Sequence, residues 1–222
     1  ALRCPWNRDY EKFGRIWGEG PGVLAEAAVR YLKKNDPDRE GLDIIDIGCG
    51  YGRDVFYLSD KLKCNILGID VSEKAIEIAM SMVMKTKRHN IRFQTADFAS
   101  LGGDKYDVVF ASNVYQIMHP DERGAFRNAV RKALRPEGLL FLATLSTKDP
   151  EHYGKGVQVI GEENSFKDGK YLHFCTGEEL RKDFGFLGIK EFYEQRYTEP
   201  RSDGEVHHHV SWILTGSLWV DE

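Results

Sequence analysis

The feature that most narrows what this chain can fold into is Leu42–Asp54, LDIIDIGCGYGRD. A short β-type run, Ile44, Ile45 and Ile47, carries a single acid, Asp46, and stops at Gly48-Cys49-Gly50-Tyr51-Gly52. A helical pattern then begins at Arg53 with no spacer. Strand, tight glycine turn and helix start is the arrangement by which α/β proteins hold a nucleotide-like ligand against bare backbone and a helix N-terminus.

The rest of the chain supplies the context such a turn needs. A helix is predicted from Pro21, with Val23, Leu24, Ala27, Ala28, Tyr31 and Leu32 on one face, ended by Asn35-Asp36-Pro37-Asp38. After the glycines, a helix from Arg53 to Leu62 buries Val55, Phe56 and Leu58, and Cys64–Ile69 forms a second apolar strand stopped by Asp70. Ser72 caps a third helix whose inward face is Ala75, Ile76, Ala79, Met80 and Val83. Ile91–Thr95 and Tyr106–Ser112 read as strands three and four. A helix opened by Pro120-Asp121 turns Ala125, Phe126, Ala129, Val130, Ala133 and Leu134 inward, and Leu139–Leu145 reads as strand five. Short unalternating apolar strands between amphipathic helices indicate a parallel sheet buried on both faces.

The pattern breaks at both ends. Residues 1–20 read as an irregular aromatic arm (Trp6, Tyr10, Phe13, Trp17) that either packs on the domain or covers a site. Residues 147–175 are polar and weakly periodic, a length suited to a lid or substrate loop. Thr176-x-x-Glu179 is a capping box for a short helix through Phe184. Two strands, Ile189–Tyr197 and Val206–Leu218, close the chain as a hairpin turning through Ser202-Asp203-Gly204.

Composition removes several classes of function. With 222 residues, 41% hydrophobic and 30% charged, the chain is expected to form one globular domain with a sizeable core. Its 31 basic and 35 acidic residues are spread evenly, and the net charge of −4 disfavours nucleic acid or anionic lipid as a partner. No apolar run approaches the ~20 residues of a membrane span. The N-terminal residues lack the hydrophobic core of a signal peptide. Cys4, Cys49, Cys64 and Cys175 show no C-x-x-C spacing, which points to a reducing compartment and hence a cytoplasmic location.

The glycine spacing then selects among ligands. A dinucleotide fingerprint, G-x-G-x-x-G, needs its third glycine where this chain has Arg53, and no Walker lysine–serine pair is present. Asp70 ends strand two, where an acid can take both ribose hydroxyls, and Asp97 ends strand three, where a carboxylate can accept from an exocyclic amine beside an apolar Phe98. Three acids at the carboxyl ends of three successive strands face one crevice.

On these residues the chain resembles the class I S-adenosylmethionine-dependent methyltransferases. Asp46-Ile-Gly48-Cys-Gly50-Tyr-Gly52 is similar to their first motif, Asp70 to their ribose acid and Asp97-Phe98 to their adenine contact. Tyr106–Ser112 and Leu134-Arg-Pro-Glu-Gly138-Leu-Leu resemble their fourth and fifth strand motifs. The resemblance spans about residues 21–145. It implies a three-layer Rossmann-like α/β sandwich with a seven-stranded, mostly parallel sheet in the order 3-2-1-4-5-7-6, strand seven antiparallel. It also implies S-adenosylmethionine as cofactor, S-adenosylhomocysteine as product, and a site formed by Asp46, Gly48, Cys49, Gly50, Arg53, Asp70, Val71, Asp97, Phe98 and Asn113. Arg53 is open to two readings, a partner for the cofactor carboxylate or a surface arginine at a helix start. The expected layout is an arm at 1–20, a cofactor-binding core at 21–145, an insertion at 146–175 and a C-terminal helix and strand pair at 176–222.

Methyl transfer from a sulfonium requires alignment of a nucleophile and exclusion of water, so no catalytic triad is expected and none is found. The segment after strand four lines the acceptor space in this family, which makes Tyr115, Gln116 and His119 the acceptor-side candidates. The paired histidines many members carry there are missing, and Asn113 is followed by Val114 rather than the proline of amino-methylating nucleic-acid enzymes. His152, Tyr153, His173 and Phe174 form a second candidate set in the insertion. His207 and His209 share one face of a strand, a possible metal pair, but no third ligand can be placed and no metal is assigned. The tail, H-x-x-x-W after an E-E-L helix, is loosely similar to small-molecule methyltransferases of the tellurite-resistance-like type. The expected function is methyl transfer to a small molecule. An RNA or protein acceptor, and a non-catalytic cofactor sensor, remain open beside it.

Overall fold

In the computed structural model, which describes residues 4–200 and 204–219, the strand–helix repeat becomes α1 (Pro5–Phe13), α2 (Val23–Asn35), β1 (Leu42–Ile47), α3 (Arg53–Lys61), β2 (Cys64–Asp70), α4 (Glu73–Thr86), β3 (Ile91–Thr95), β4 (Tyr106–Ser112), α5 (Pro120–Ala133) and β5 (Leu134–Leu145). Then follow β6 (Val157–Gln158), β7 (Ser165–Asp168), β8 (Lys170–His173), α6 (Gly177–Asp183), β9 (Leu187–Pro200) and β10 (Val206–Leu218).

The main sheet has the order β3-β2-β1-β4-β5-β10-β9. With β9 and β10 as the sixth and seventh main strands, this is the expected 3-2-1-4-5-7-6. β1 pairs in parallel with both β2 and β4, while β10 runs antiparallel to β5 and to β9. Strand order therefore reverses beside β1, and a crevice opens at the carboxyl ends of β1 and β4 as it does in other open α/β sheets. Both faces of the sheet are covered. Leu24 and Leu32 of α2, Val55 of α3 and Ile76 of α4 pack on one side. Phe126 and Val130 of α5 and Leu180 of α6 pack on the other.

Local expectations hold where a single turn decides them. Ser72 caps α4 by accepting the Ala75 amide at 3.1 Å, and Thr176 caps α6 by accepting the Glu179 amide at 3.1 Å. They fail where a distant partner decides. The arm is not irregular, because residues 5–13 form α1. The insertion carries an antiparallel sheet in the order β6-β7-β8 rather than an unpaired loop. Strand five begins earlier than predicted, since Arg135 reaches Asp107 at 2.6 Å and Asp43 at 2.8 Å and draws its segment onto the edge of β4. Met80 is exposed rather than inward. On α5, Ala125 is exposed and Arg123 is buried, because β8 covers the start of the helix. There the Arg123 guanidinium donates to the Met118 carbonyl (2.8 Å) and the Tyr171 hydroxyl (3.0 Å). The predicted hairpin turn at Ser202 and Asp203 lies outside the described residues.

Candidate functional site

A cavity of about 580 Å³, a volume usual for small-molecule sites, lies at the crevice beside β1. All ten residues expected around the cofactor line it: Asp46, Gly48, Cys49, Gly50, Arg53, Asp70, Val71, Asp97, Phe98 and Asn113. Gly48 and Gly50 have φ of +74° and +54°, a region that disfavours any residue with a Cβ. At Gly48 a Cβ would sit 2.1 Å from Val114 Cγ1, and at Gly50 one would sit 2.9 Å from the Tyr10 hydroxyl. The turn is docked on β2, with the Gly48 and Cys49 amides donating to the Ile69 carbonyl at 2.8 and 3.0 Å.

Three acids surround this backbone. Asp70 accepts the Gly50 amide on one oxygen and the Ser72 amide on the other, both at 2.8 Å, which orients its remaining lone pairs. Asp97 holds a short 3₁₀ turn by accepting the Ala99 amide at 2.9 Å. Asp46 is buried. Burial first, and then the neighbouring Asp54 and Asp70, push its carboxyl well above the usual range, so a cation beside it would relieve a cost already present. Asn113, at φ +58°, has a buried Oδ1 with no hydrogen-bond partner among the described residues. Burial, followed by Asp46 and Asp70, also raises the Cys49 thiol, which stays neutral and serves as a small wall.

The arm closes one side. Tyr51 donates to the Gly18 carbonyl and accepts the Trp17 amide at 3.2 Å, while the Gly22 amide donates to Asp54 at 2.7 Å. On α1, Asn7 Oδ1 accepts the Ser72 hydroxyl at 2.7 Å. Arg53 is neither free nor a simple surface residue. Its guanidinium donates to the Trp17 carbonyl and lies 3.3 Å from Glu199 Oε1. The small sheet of the insertion meets the arm through Lys170, which pairs with Asp9 and sits 3.8 Å from the centre of the Trp6 ring.

The far wall comes from the tail and from the turn after β5. Tyr197, Glu199, His209, His152 and Lys155 line it, together with Phe166 and Leu172. Asp149 is buried here and accepts from His209 Nδ1 (3.0 Å) and from the amides of Val210 (3.0 Å), His152 (2.8 Å) and Glu151 (3.1 Å). Burial works to raise its pKa, but these donors, His209 foremost, hold its carboxyl below the ordinary value.

Several acceptor-side expectations need correction. Tyr115 does not line the cavity. It is fully buried between Phe126 and Phe184, its hydroxyl held by Asp183 (2.6 Å) and Arg127 (2.7 Å). His119 is exposed and lies against the Tyr171 ring, at 4.0 Å between centroids. Gln116 does line the cavity, with its Oε1 accepting the Leu145 amide at 2.9 Å. Of the second set, only His152 reaches the cavity. His173 is locked between Ser165 (2.9 Å) and Glu179 (2.6 Å), and Tyr153 and Phe174 pack together with Phe166. Sequence reasoning missed Asp149, Tyr197 and Glu199. For the last two a signal existed: Tyr197 and Glu199 alternate on β9 directly opposite His209 and His207 on β10.

Residues 44–138 match a family described as a methyltransferase domain. Among curated relatives, the ubiquinone biosynthesis O-methyltransferase of Brucella ovis is 30% identical over 201 residues, covering 85% of this chain and 79% of that protein. Solved structures share the fold, two of them as follows. Magnesium protoporphyrin IX methyltransferase from Synechocystis PCC 6803 with bound S-adenosylhomocysteine superposes with a TM-score of 0.68 at 19% identity, covering 95% of this chain and 94% of that one. A protein solved in work on the conversion of a disulfide bond into a thioacetal group during echinomycin biosynthesis gives 0.74 at 19% identity, covering 98% and 91%. Among the described residues, no helix is long and apolar enough to cross a membrane.

Proposed function

We infer the roles of individual residues from the premise that this chain belongs to the class I S-adenosylmethionine-dependent methyltransferases and transfers a methyl group to a small molecule. The acceptor atom we propose is a hydroxyl oxygen on an apolar or aromatic compound. The cavity supports this reading, since Trp6, Trp17, Phe166, Leu172 and Tyr197 furnish apolar surface among its lining residues. The O-methyltransferase relative supports it too.

The described residues fit the cofactor. Gly48 and Gly50 leave a strip of backbone that a Cβ would obstruct, over which the methionine portion passes. Asp46 and the unpartnered Asn113 Oδ1 attract its ammonium end. Asp70 takes the ribose hydroxyls, Asp97 accepts from the adenine amine, and Val71, Phe98 and Cys49 flank the base. Arg53 turns its remaining N–H groups to the cofactor carboxylate while anchoring Trp17. Bound S-adenosylmethionine supplies an electrophilic methyl group on a sulfonium sulfur. The chain's own task is to align the acceptor and keep water out. The arm and the insertion do this as a cover held together at Lys170 and Asp9.

One observation carries the reading: the ends of β1 to β4, the arm, the insertion and the tail line a single cavity. The test is a panel of hydroxyl, thiol and amine acceptors scored by S-adenosylhomocysteine release. Turnover is expected with aromatic hydroxyl compounds. Turnover confined to thiols or amines overturns the oxygen assignment, and calorimetry showing no S-adenosylmethionine binding overturns the site.

A further inference from the structure

We propose that His152, His207 and His209 bind a divalent first-row transition cation, with zinc as the reference ion, in the cavity wall formed by β10 and the turn after β5. One ligand nitrogen from each histidine lies within 4.8 Å of the other two. The three rings are mutual neighbours, with centroids 5.4 to 6.0 Å apart. His207 and His209 project from one face of β10 by strand alternation. That stretch of β10 runs past the last residue of β5, whose pairing with it begins at Ser211 and Leu145. The turn after β5 fills the space left and delivers His152.

The hydrogen-bonding pattern suits metal binding. Asp149 holds His209 at Nδ1, 3.0 Å away, which leaves Nε2 as the nitrogen that can face an ion. A carboxylate orienting a histidine in this way is the usual support of a histidine-ligated metal. His207 Nδ1 is buried without a hydrogen-bond partner, an unsatisfied position that a cation would fill. The surroundings are acidic. Glu199 Oε2 lies 3.9 Å from His209 Nε2, Glu151 Oε1 lies 4.0 Å from His207 Nδ1, and Glu205 Oε2 lies 3.8 Å from His207 Nε2. Two cations offset part of this, Arg53 at 3.3 Å from Glu199 and Lys155 at 3.4 Å from Glu151. Three imidazoles with nearby carboxylates select zinc or a neighbouring transition ion over calcium or magnesium. Because His152 and His209 line the cavity, a fourth coordination position opens toward the acceptor. What the ion does rests on the methyltransferase reading: it can hold an acceptor hydroxyl and make its oxygen easier to deprotonate. Whether the ion binds does not rest on it.

The experiment titrates zinc against a chromophoric competitor, and cobalt by visible absorption, using the full chain without an affinity tag. One ion per chain is expected, with a tetrahedral cobalt spectrum. His207→Ala and His209→Ala should each weaken binding at least about 100-fold, and Asp149→Asn about 10- to 100-fold. His207 is partly exposed, so His207→Ala also guards against loss through unfolding, checked by its melting curve. No binding, or unchanged affinity in folded His207→Ala, overturns the proposal. S-adenosylhomocysteine titrated in parallel separates the two readings. Histidine-dependent zinc binding without it leaves the metal site standing and removes the methyltransferase site, and the reverse result does the opposite.

Discussion

The proposed cofactor end of the cavity is made by residues that sit immediately after β1, β2, β3 and β4, whereas the remaining wall, where we place the acceptor, draws on the turn after β5, the small β6–β8 sheet, β9 and β10. At the first end the strand-end acids are aimed by the turn that follows their own strand and by the turn of the neighbouring strand. Asp70, for example, is set by the Gly50 and Ser72 amides. At the second end aim depends on partners far along the chain: His209 is oriented by Asp149, and Lys170 of β8 by Asp9 and Trp6. A frame built from local turns can be kept while the other wall is rebuilt, which is how one fold serves many acceptors.

This contrast can be broken by variants that respect or cross it. The largest effect is expected from Asp70→Ala. It removes the ribose acceptor and leaves the Gly50 and Ser72 amides without their partner, so S-adenosylhomocysteine affinity should fall about 100-fold by calorimetry. A loss below about threefold would show that the cofactor end does not depend on its strand-end acids.

A smaller effect is expected from pH. Asp46 has a raised pKa in the free protein, and a cofactor cation beside it favours the ionised form and lowers that pKa. Affinity should therefore rise with pH through the window between the bound and free values and level off on either side of it. One linked proton limits the slope to about tenfold per pH unit. Calorimetry across pH should give this slope in the wild type and a flatter profile in Asp46→Asn. An unchanged profile would remove Asp46 from contact with the cofactor ammonium.

The smallest effect tests the cover. Lys170→Ala removes an exposed ion pair to Asp9 and a cation–π contact to Trp6, interactions worth about 1 kcal/mol together. Steady-state kinetics should show the acceptor KM rising about two- to fivefold, with kcat and S-adenosylhomocysteine affinity unchanged. An equal loss of cofactor affinity would mean that the two ends are not separable.

The positions that could be read in advance share a local cause. Ser72 caps α4 within one turn, and the apolar runs of β1 and β4 demand a sheet covered on both faces. Misreadings share a distant one. Tyr115 follows β4 as a pocket residue would, yet Asp183 and Arg127 hold its hydroxyl in the core. Arg123 looks like a surface residue of α5 until Tyr171 of β8 covers it. Helical periodicity also turned Met80 inward, where no described element covers it.

The amino-acid sequence by itself determined the strand–helix alternation, the glycine turn and the acids at the strand ends, because strand periodicity, turn geometry and capping act over a few residues; the sheet order came only from the resemblance to a known family. Only the tertiary structure decided the acceptor wall. There Asp149, His152, Glu199, His207 and His209 come together from segments separated by the whole C-terminal part of the chain. Pairing of β10 with β5 and β9 makes that meeting, and such pairing is a long-range choice that no local pattern encodes.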